Sequence, residues 1–528
     1  MEPLPRRSFL KATLRTAPMM FMAPSLLTPS TVRAETIGPS TTKEPYLLPS
    51  IPGVATFAIL TAGDAVGRYR MVGIPDGLGA FRSSADQFTL LMNHEITAAR
   101  PGIVRAHGRD GAFVSRWTID RATFRVVNGD DLTRSPKWVF VWDTKSGRYM
   151  RATTQWQRLC SGDLPDPGAF FANGLGTEDR IYCNGEEVNE GRAWARVVTG
   201  PRAGEAWQLP RMGRLSFENV VACPFPQEKT VVVLTDDGAL STAGIAGNFP
   251  SEVYVYVGQK QGIGHPVERA GLTNGSLHGI TISVGGRAVT EESDDFGLGN
   301  ATTGFVGSGR FGLHDLGDVS DLSALELEQR SIDAGVARLQ RCEDGAWDPR
   351  PRFANDFYFV TTASLTNNCR LWRLRFDDLA HPERGGTIEI LLKGNEGHRM
   401  LDNVAIDRWG RILMDEDPGN APRVSKIWLY AIATGKLIQV AAHNPKFFDP
   451  TIPNNPDFIT QDEESSGIID ASQVLDRGWF LLDVQAHAVS SDQELVEGGQ
   501  VLALFVDPTI GESADDKAAR EDAEDAHT

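Results

Sequence analysis

The sequence predicts an all-β fold, a six-bladed β-propeller carrying one large insertion between blades. Three observations lead there. First, 53 Gly and 30 Pro in 528 residues supply many turns and leave few uninterrupted helical patterns. Second, short apolar runs end again and again on polar, mostly acidic, clusters. Third, this unit of run and cluster occurs six times along the chain. Radial repetition protects strand edges and gathers the tips of inner strands at a central channel, which gives every tip a reason to be polar. A β-sandwich would accommodate the strands but gives no such reason.

Residues 1–34 read as an export signal. Arg6-Arg7-Ser8-Phe9-Leu10-Lys11 precedes an apolar stretch at 17–27 and the small-x-small site Val32-Arg33-Ala34. This is the pattern of the twin-arginine route, with cleavage expected before Glu35. The expected location is the periplasm or the extracellular space, and the twin-arginine export machinery is an expected partner. Residues 35–54 read as a linker without periodicity.

The propeller is expected over 55–508. Its acidic tips are Asn93-His94-Glu95 after 88–92, Asn184-Gly185-Glu186-Glu187 after 180–183, and Thr235-Asp236-Asp237 after 231–234. Thr361-Thr362 follows 357–360, Asp415-Glu416-Asp417 follows 412–414, and Asp483 to His487 follows 479–482. In four units a second polar element lies one strand and one turn upstream: Glu218-Asn219, Glu343-Asp344, Asp402-Asn403, and Glu464-Ser465-Ser466-Gly467. The hairpin at 402–418 shows the logic. Two apolar runs flank a polar turn ending in Gly410, so Asp402-Asn403 and Asp415-Glu416-Asp417 return to the same end. Residues 262–341 break the repeat as an insertion with one helix, expected at 322–339 with Asp321 as its N-cap and placed to act as a lid. Residues 509–528 form an acidic tail expected to be disordered.

Charge and cysteine usage narrow the chemistry. The net charge is −17, from 52 basic and 69 acidic side chains, which disfavours nucleic acid as a partner. No run beyond the signal approaches the roughly 20 apolar residues needed to span a bilayer, so no stable membrane insertion is expected, and the chain is expected to be a monomer. Five scattered cysteines make neither a disulfide framework nor a Cys-x-x-Cys zinc pair. Gly307-Ser308-Gly309-Arg310-Phe311-Gly312 matches a dinucleotide fingerprint but opens no helix within a βαβ unit, so it is set aside.

The convergent acids are therefore the candidate site. Glu95, Glu187, Glu218, Asp236, Asp237, Glu343, Asp402, Asp415 and Glu464 would crowd one channel, and carboxylates that close cannot all ionise without cations among them. Oxygen-rich ligands point to calcium (Ca2+) first, with ferric iron (Fe3+) or manganese where histidine or a thiolate joins. Arg341, His487 and Asn403 are the expected catalytic residues, Arg341 as a fork for phosphoryl oxygens.

Taken in order, the twin-arginine signal, Asn93-His94-Glu95, Gly185-Glu186-Glu187, Phe217-Glu218, Asp236-Asp237, Arg341-Cys342-Glu343-Asp344, Asp402-Asn403 with Asp415, Glu464-Ser465-Ser466-Gly467 and Gln485-Ala486-His487 resemble the motifs of the PhoX alkaline phosphatase family. The resemblance implies a six-bladed, exported propeller that hydrolyses phosphate monoesters at calcium and ferric ions. It also implies Glu187, Glu218, Asp236, Glu343, Asp402 and Glu464 as metal ligands and Arg341 as the phosphate holder. Two positions depart. The family's best-known members place an iron-binding cysteine directly before the Glu-Glu pair, where this chain has Gly185, with Cys183 two residues earlier; and Cys342 stands in place of a proline. With no thiol at that position, calcium is the metal expected and iron the second candidate. The other functional expectations are a calcium-dependent lactonase or phosphotriesterase-like propeller, or a non-catalytic calcium-binding one.

Overall fold

The apolar runs become strands buried on both faces. In Lys229–Asp236, Val232 and Leu234 pack with Tyr254 and Tyr256 toward one neighbouring sheet, while Val231 and Val233 pack with Val253 and Val255 toward the next. A strand without a solvent face has no reason to alternate, which is why 231–234 is uniformly apolar. Trp479–Ala486 repeats the habit, with Trp479 and Leu481 on one side and Phe480, Leu482 and Val484 on the other.

The structure, a computed structural model, describes residues 35–238, 251–292 and 307–513. The twin-arginine stretch and tail residues 514–528 lie outside the described residues. The chain is mostly strand and propeller-like. Its inner strands are Pro75–Arg82, Leu159–Asp163, Arg214–Ala222, Cys342–Trp347, Leu401–Ile406 and Glu463–Asp470. Each packs on the next in that order, and the last returns to the first. Each pairs antiparallel with a second strand: Gln87–His94, Ile181–Val197, Lys229–Asp236, Asp356–Thr361, Arg411–Glu416 and Trp479–Ala486. The last sheet draws on both ends of the chain. Gly498–Val506 lies between Trp479–Ala486 and the early strand Val54–Thr61, so the first long strand completes the sheet that ends the fold.

Three details depart from the sequence reading. Residues 35–54 are more than a linker: Glu35–Ile37 pairs with Val54–Thr61, and Leu47–Pro49 with Lys436–His443. Edge strands of three residues are too short for alternation to show. The described part of the 262–341 insertion contributes strands as well as a helix. Ser276–Val284 extends the sheet of Val253–Gln259, and Ser308–Asp315, which holds most of the glycine fingerprint, links it to Gly386–Leu392 of the next sheet. The helix of this segment is Ala324–Asp333, capped by Ser323 and not by Asp321. Ser323 has Glu326 three residues on to complete a capping box, whereas Ala324 stands three residues after Asp321.

The 402–418 hairpin turns around Asp407, which accepts from the backbone N–H groups of Trp409 and Arg411 and pairs with the Arg411 guanidinium at 2.7 Å. Arg411 also donates to the carbonyls of Val506 and Asp507, latching this turn to the closing sheet. Both side chains are buried. Asp407→Ala strands a buried guanidinium and should cost roughly 3–5 kcal/mol in urea denaturation, while the metal content of the purified protein stays as in wild type.

Candidate metal centre

One local geometry recurs at every tip. The backbone N–H of a second-strand residue donates to a carbonyl two residues before an inner-strand ligand. The six bonds are Glu95 to Ile74, Glu187 to Arg158, Asp237 to Ser216, Thr362 to Arg341, Asp417 to Met400 and His487 to Asp462, at 2.8–3.0 Å. Counting two residues on from each carbonyl gives Asp76, Cys160, Glu218, Glu343, Asp402 and Glu464, one side chain from each inner strand. In the first five of these strands the register with the second strand slips at that residue. A bulge re-aims side chains, and here it turns a residue of the inner strand into the channel. Four of the residues two positions earlier, Ile74, Arg158, Arg341 and Met400, hold left-handed φ values of 50°, 38°, 61° and 41°. Such strain costs about 1–3 kcal/mol per residue and persists only where surroundings enforce it.

The ligands fall into four adjoining groups whose donor atoms lie within 4.8 Å of one another: Asp76, Glu95 and Cys160; Cys160, Glu187 and Glu218; Glu218, Glu343 and Asp402; Asp402, Asp417 and Glu464. Each group shares a member with the next. Polar neighbours fix the ring from below. Asn403 Nδ2 donates to Ser161 Oγ at 2.6 Å, and Ser161 Oγ donates to Glu218 at 2.5 Å. Gln485 Nε2 donates to Asp76 and to Glu95, each at 2.9 Å, and Asn219 Nδ2 donates to Asp344 at 2.6 Å. Three cationic side chains rim the mouth. Arg158 pairs with Glu95 and Glu187 at 2.6 Å, Arg341 with Asp237 at 2.9 Å and Glu343 at 3.0 Å, and His487 Nδ1 with Glu497 at 2.8 Å.

Positive charge still falls short. Burial first, then neighbouring carboxylates, push Asp76, Asp402 and Asp417 well above the usual acid range. Burial likewise raises Glu187 and Glu343 despite the opposing guanidinium of Arg158 or Arg341, and raises the Cys160 thiol. Burial lifts Glu218 from 4.5 to about 8. Glu464 is the exception: burial works against it, but the His487 imidazole 3.8 Å away and the Ser466 hydroxyl hold it below its ordinary value. Burial opposes protonation of His487 too, yet Glu464 and Glu497 outweigh it and raise the imidazole well above its usual range. Asp402 Oδ1 is buried and accepts no hydrogen bond. A carboxylate and thiol donor set with orphaned oxygens is what oxygen-binding and thiolate-binding cations require, so the residues fit the metals that the sequence implies.

Of the residues expected from sequence, Glu95, Glu187, Glu218, Glu343, Asp402 and Glu464 come together in the four groups. Asp237 joins the rim through Arg341. Asp236 does not face the ring; it accepts from the backbone N–H of Ser216 and Gly238, and its charge is felt by Glu252. Asp415 lies fully buried, two residues before Asp417, with neither carboxylate oxygen hydrogen-bonded, and its charge is felt by Asp483, equally buried and unpartnered. Asn403 spends its amide on Ser161, and His487 stands at the rim. Asp76, Cys160 and Arg158 are absent from the expected set, and Asp417, expected at the hairpin end but not as a ligand, joins a group. Cys160 is the consequential omission, because it places a thiol in the ring from a different strand than the Gly185 position. A usable signal existed: Asp76-Gly77 and Cys160-Ser161 stand one hairpin upstream of Glu95 and Glu187, as Asp402-Asn403 stands before Asp417.

No protein-family model matches this sequence, and no curated relative matches it. Among solved structures it is similar to that of Pseudomonas fluorescens PhoX in complex with vanadate, a transition state analogue. The TM-score is 0.58 at 13% identity, over 88% of this chain and 96% of that one. At that identity the likeness is one of fold.

The ring makes an unusual pH prediction. A buried acid whose pKa is raised on folding favours the folded state below its unfolded pKa, and that advantage is lost as pH climbs through the folded value. Metal-stripped protein should therefore lose stability as pH rises from 4.5 to about 8, the window set by Glu218, and calcium should flatten the slope. Urea denaturation across this range, with chelator or with calcium, measures both.

Proposed function

We propose that the chain is an exported, metal-dependent phosphatase of the PhoX type, built as a six-bladed propeller. It would hydrolyse small phosphate monoesters at a calcium centre that also accepts iron. The observation that carries the reading is the ring itself, one ligand from each inner strand, forming four adjoining metal-sized groups beneath Arg341. So many carboxylates exceed what a lactonase or phosphotriesterase propeller with one or two acidic ligands would need. Cys160 supports the iron component, since a thiolate among carboxylates suits ferric iron better than calcium. Export rests on the twin-arginine sequence; among the described residues no helix is long and apolar enough to cross a membrane.

Bound metals would supply Lewis acidity toward phosphoryl oxygens and lower the pKa of water. The chain's own groups do the rest. Arg341 keeps Nε and Nη2 on Asp237 and Glu343, a fixed guanidinium at the mouth that can hold phosphoryl oxygens as charge builds on them. His487, kept protonated by Glu464 and Glu497, can pass a proton from Nε2 to the leaving oxygen. The Asn403 to Ser161 to Glu218 chain orients a carboxylate shared by two groups.

Chelation with EDTA should abolish hydrolysis of a chromogenic phosphate monoester, and added calcium should restore it; full activity after exhaustive chelation sinks the reading. Arg341→Ala should lower kcat/KM by about 10²-fold or more. Cys160→Ser should lose iron by elemental analysis and retain calcium, and equal iron in both proteins removes the thiolate from the account.

A further inference from the structure

Arg158 and Arg341 occupy the same place in two different repeats. Each stands two residues before an inner-strand ligand, Cys160 or Glu343, and each carries left-handed backbone, with φ of 38° and 61°. Each lends its carbonyl to a second-strand N–H, that of Glu187 or Thr362. Each binds ring acids through Nε and Nη2 alone: Arg158 to Glu95 and Glu187, Arg341 to Asp237 and Glu343. In both, Nη1 donates to no described residue, and the side chains remain 40% and 29% exposed. The four other repeats place Ile74, Ser216, Met400 and Asp462 at this position, so the mouth carries two guanidiniums of this type.

They are not adjacent. The repeat between them contributes Glu218 and Asp237, and Asp237 is already held by Arg341. The paired acids fix both guanidiniums in place, so each presents a spare corner over a separate part of the ring: Arg158 above the groups that contain Cys160, Arg341 above the group of Glu218, Glu343 and Asp402. Two fixed, separated cationic donors match a ligand with two anionic groups better than a single tetrahedral anion.

Resting on the phosphatase reading, we propose that the substrates are phosphate monoesters whose organic part carries a second anionic group, a carboxylate or a further phosphate. Arg341 takes the phosphoryl group undergoing hydrolysis, and Arg158 binds the second anion. No bond changes at Arg158; it selects and orients.

The test compares 4-carboxyphenyl phosphate with phenyl phosphate on the calcium-loaded full chain. Wild type should prefer the carboxylated ester by at least tenfold in kcat/KM, and R158Q should lower that preference at least tenfold, chiefly through KM. A purely structural role for Arg158 would lower both esters together and leave the ratio where it was. Hydrolysis of both esters without preference by wild type overturns this inference and leaves the phosphatase reading standing, and it does so even if R158Q does not fold. A preference that survives in R158Q also overturns it. Hydrolysis of neither ester overturns both.

Discussion

Mutual repulsion among carboxylates is the constraint from which the rest of this fold follows. Asp76, Glu95, Glu187, Glu218, Asp237, Glu343, Asp402, Asp417 and Glu464 meet at one end of a channel, with Arg158, Arg341 and His487 as their cationic partners among the described residues. Unfolded, these groups sit in water and do not interact. Folded without cations, Asp76, Glu187, Glu218, Glu343, Asp402 and Asp417 are driven toward their protonated forms by burial and by neighbouring carboxylates. The fold gathers these acids through a bulge in one inner strand after another, and the charge shortfall is one that bound cations could make up.

The acidic clusters at the strand tips have two faces. At three tips the residue just before the channel-facing one is held by partners on the sheet and anchors it. Glu416 accepts from Arg423, from Trp428 Nε1 and from the backbone of Arg399. Glu186 is held by Arg192 and Trp194, and His94 bridges the Gly73 carbonyl and Ser115 while stacking on Phe113. These partners clamp the tip from outside, so that the next residue is aimed inward without freedom to retreat from its like-charged neighbours. The strained backbone at Ile74, Arg158, Arg341 and Met400 is then the cost of holding the inner strand against that clamp.

This two-faced arrangement also explains what the sequence could and could not tell. The alternation of run and acidic tip is coarse and survives any local irregularity, so the strand order and the end of the channel where acids gather were legible. Which of two neighbouring acids faces inward was not. Strand periodicity assigns Asp415 and Asp417 to one face, yet only Asp417 reaches the ring, while the last residue of the 235–237 cluster, Asp237, displaces Asp236. The bulges lie in the inner strands, where they decide which residue turns into the channel, and they leave no compositional trace at Asp76 or Cys160. Cys160 was hidden further because a thiol breaks the acidic pattern of the other tips. Arg158 was hidden because its partners Glu95 and Glu187 lie 63 and 29 positions away in sequence.

The ring is not symmetric, and its asymmetry has a physical reading. The four metal-sized groups run as an arc from Asp76 round to Glu464, and among the described residues no such group joins Glu464 back to Asp76. In that gap stands Gln485, whose amide donates to Asp76, to Glu95 and to Ser466 Oγ. Beside it the tip residue is His487 where most other repeats have a carboxylate. A neutral amide and a protonated imidazole satisfy acceptors at one seam of the ring that cations would otherwise have to satisfy. The sixth repeat therefore ends the arc and does not extend it, and the imidazole of His487, proposed to carry the catalytic proton, sits at the terminus of the arc beside Glu464.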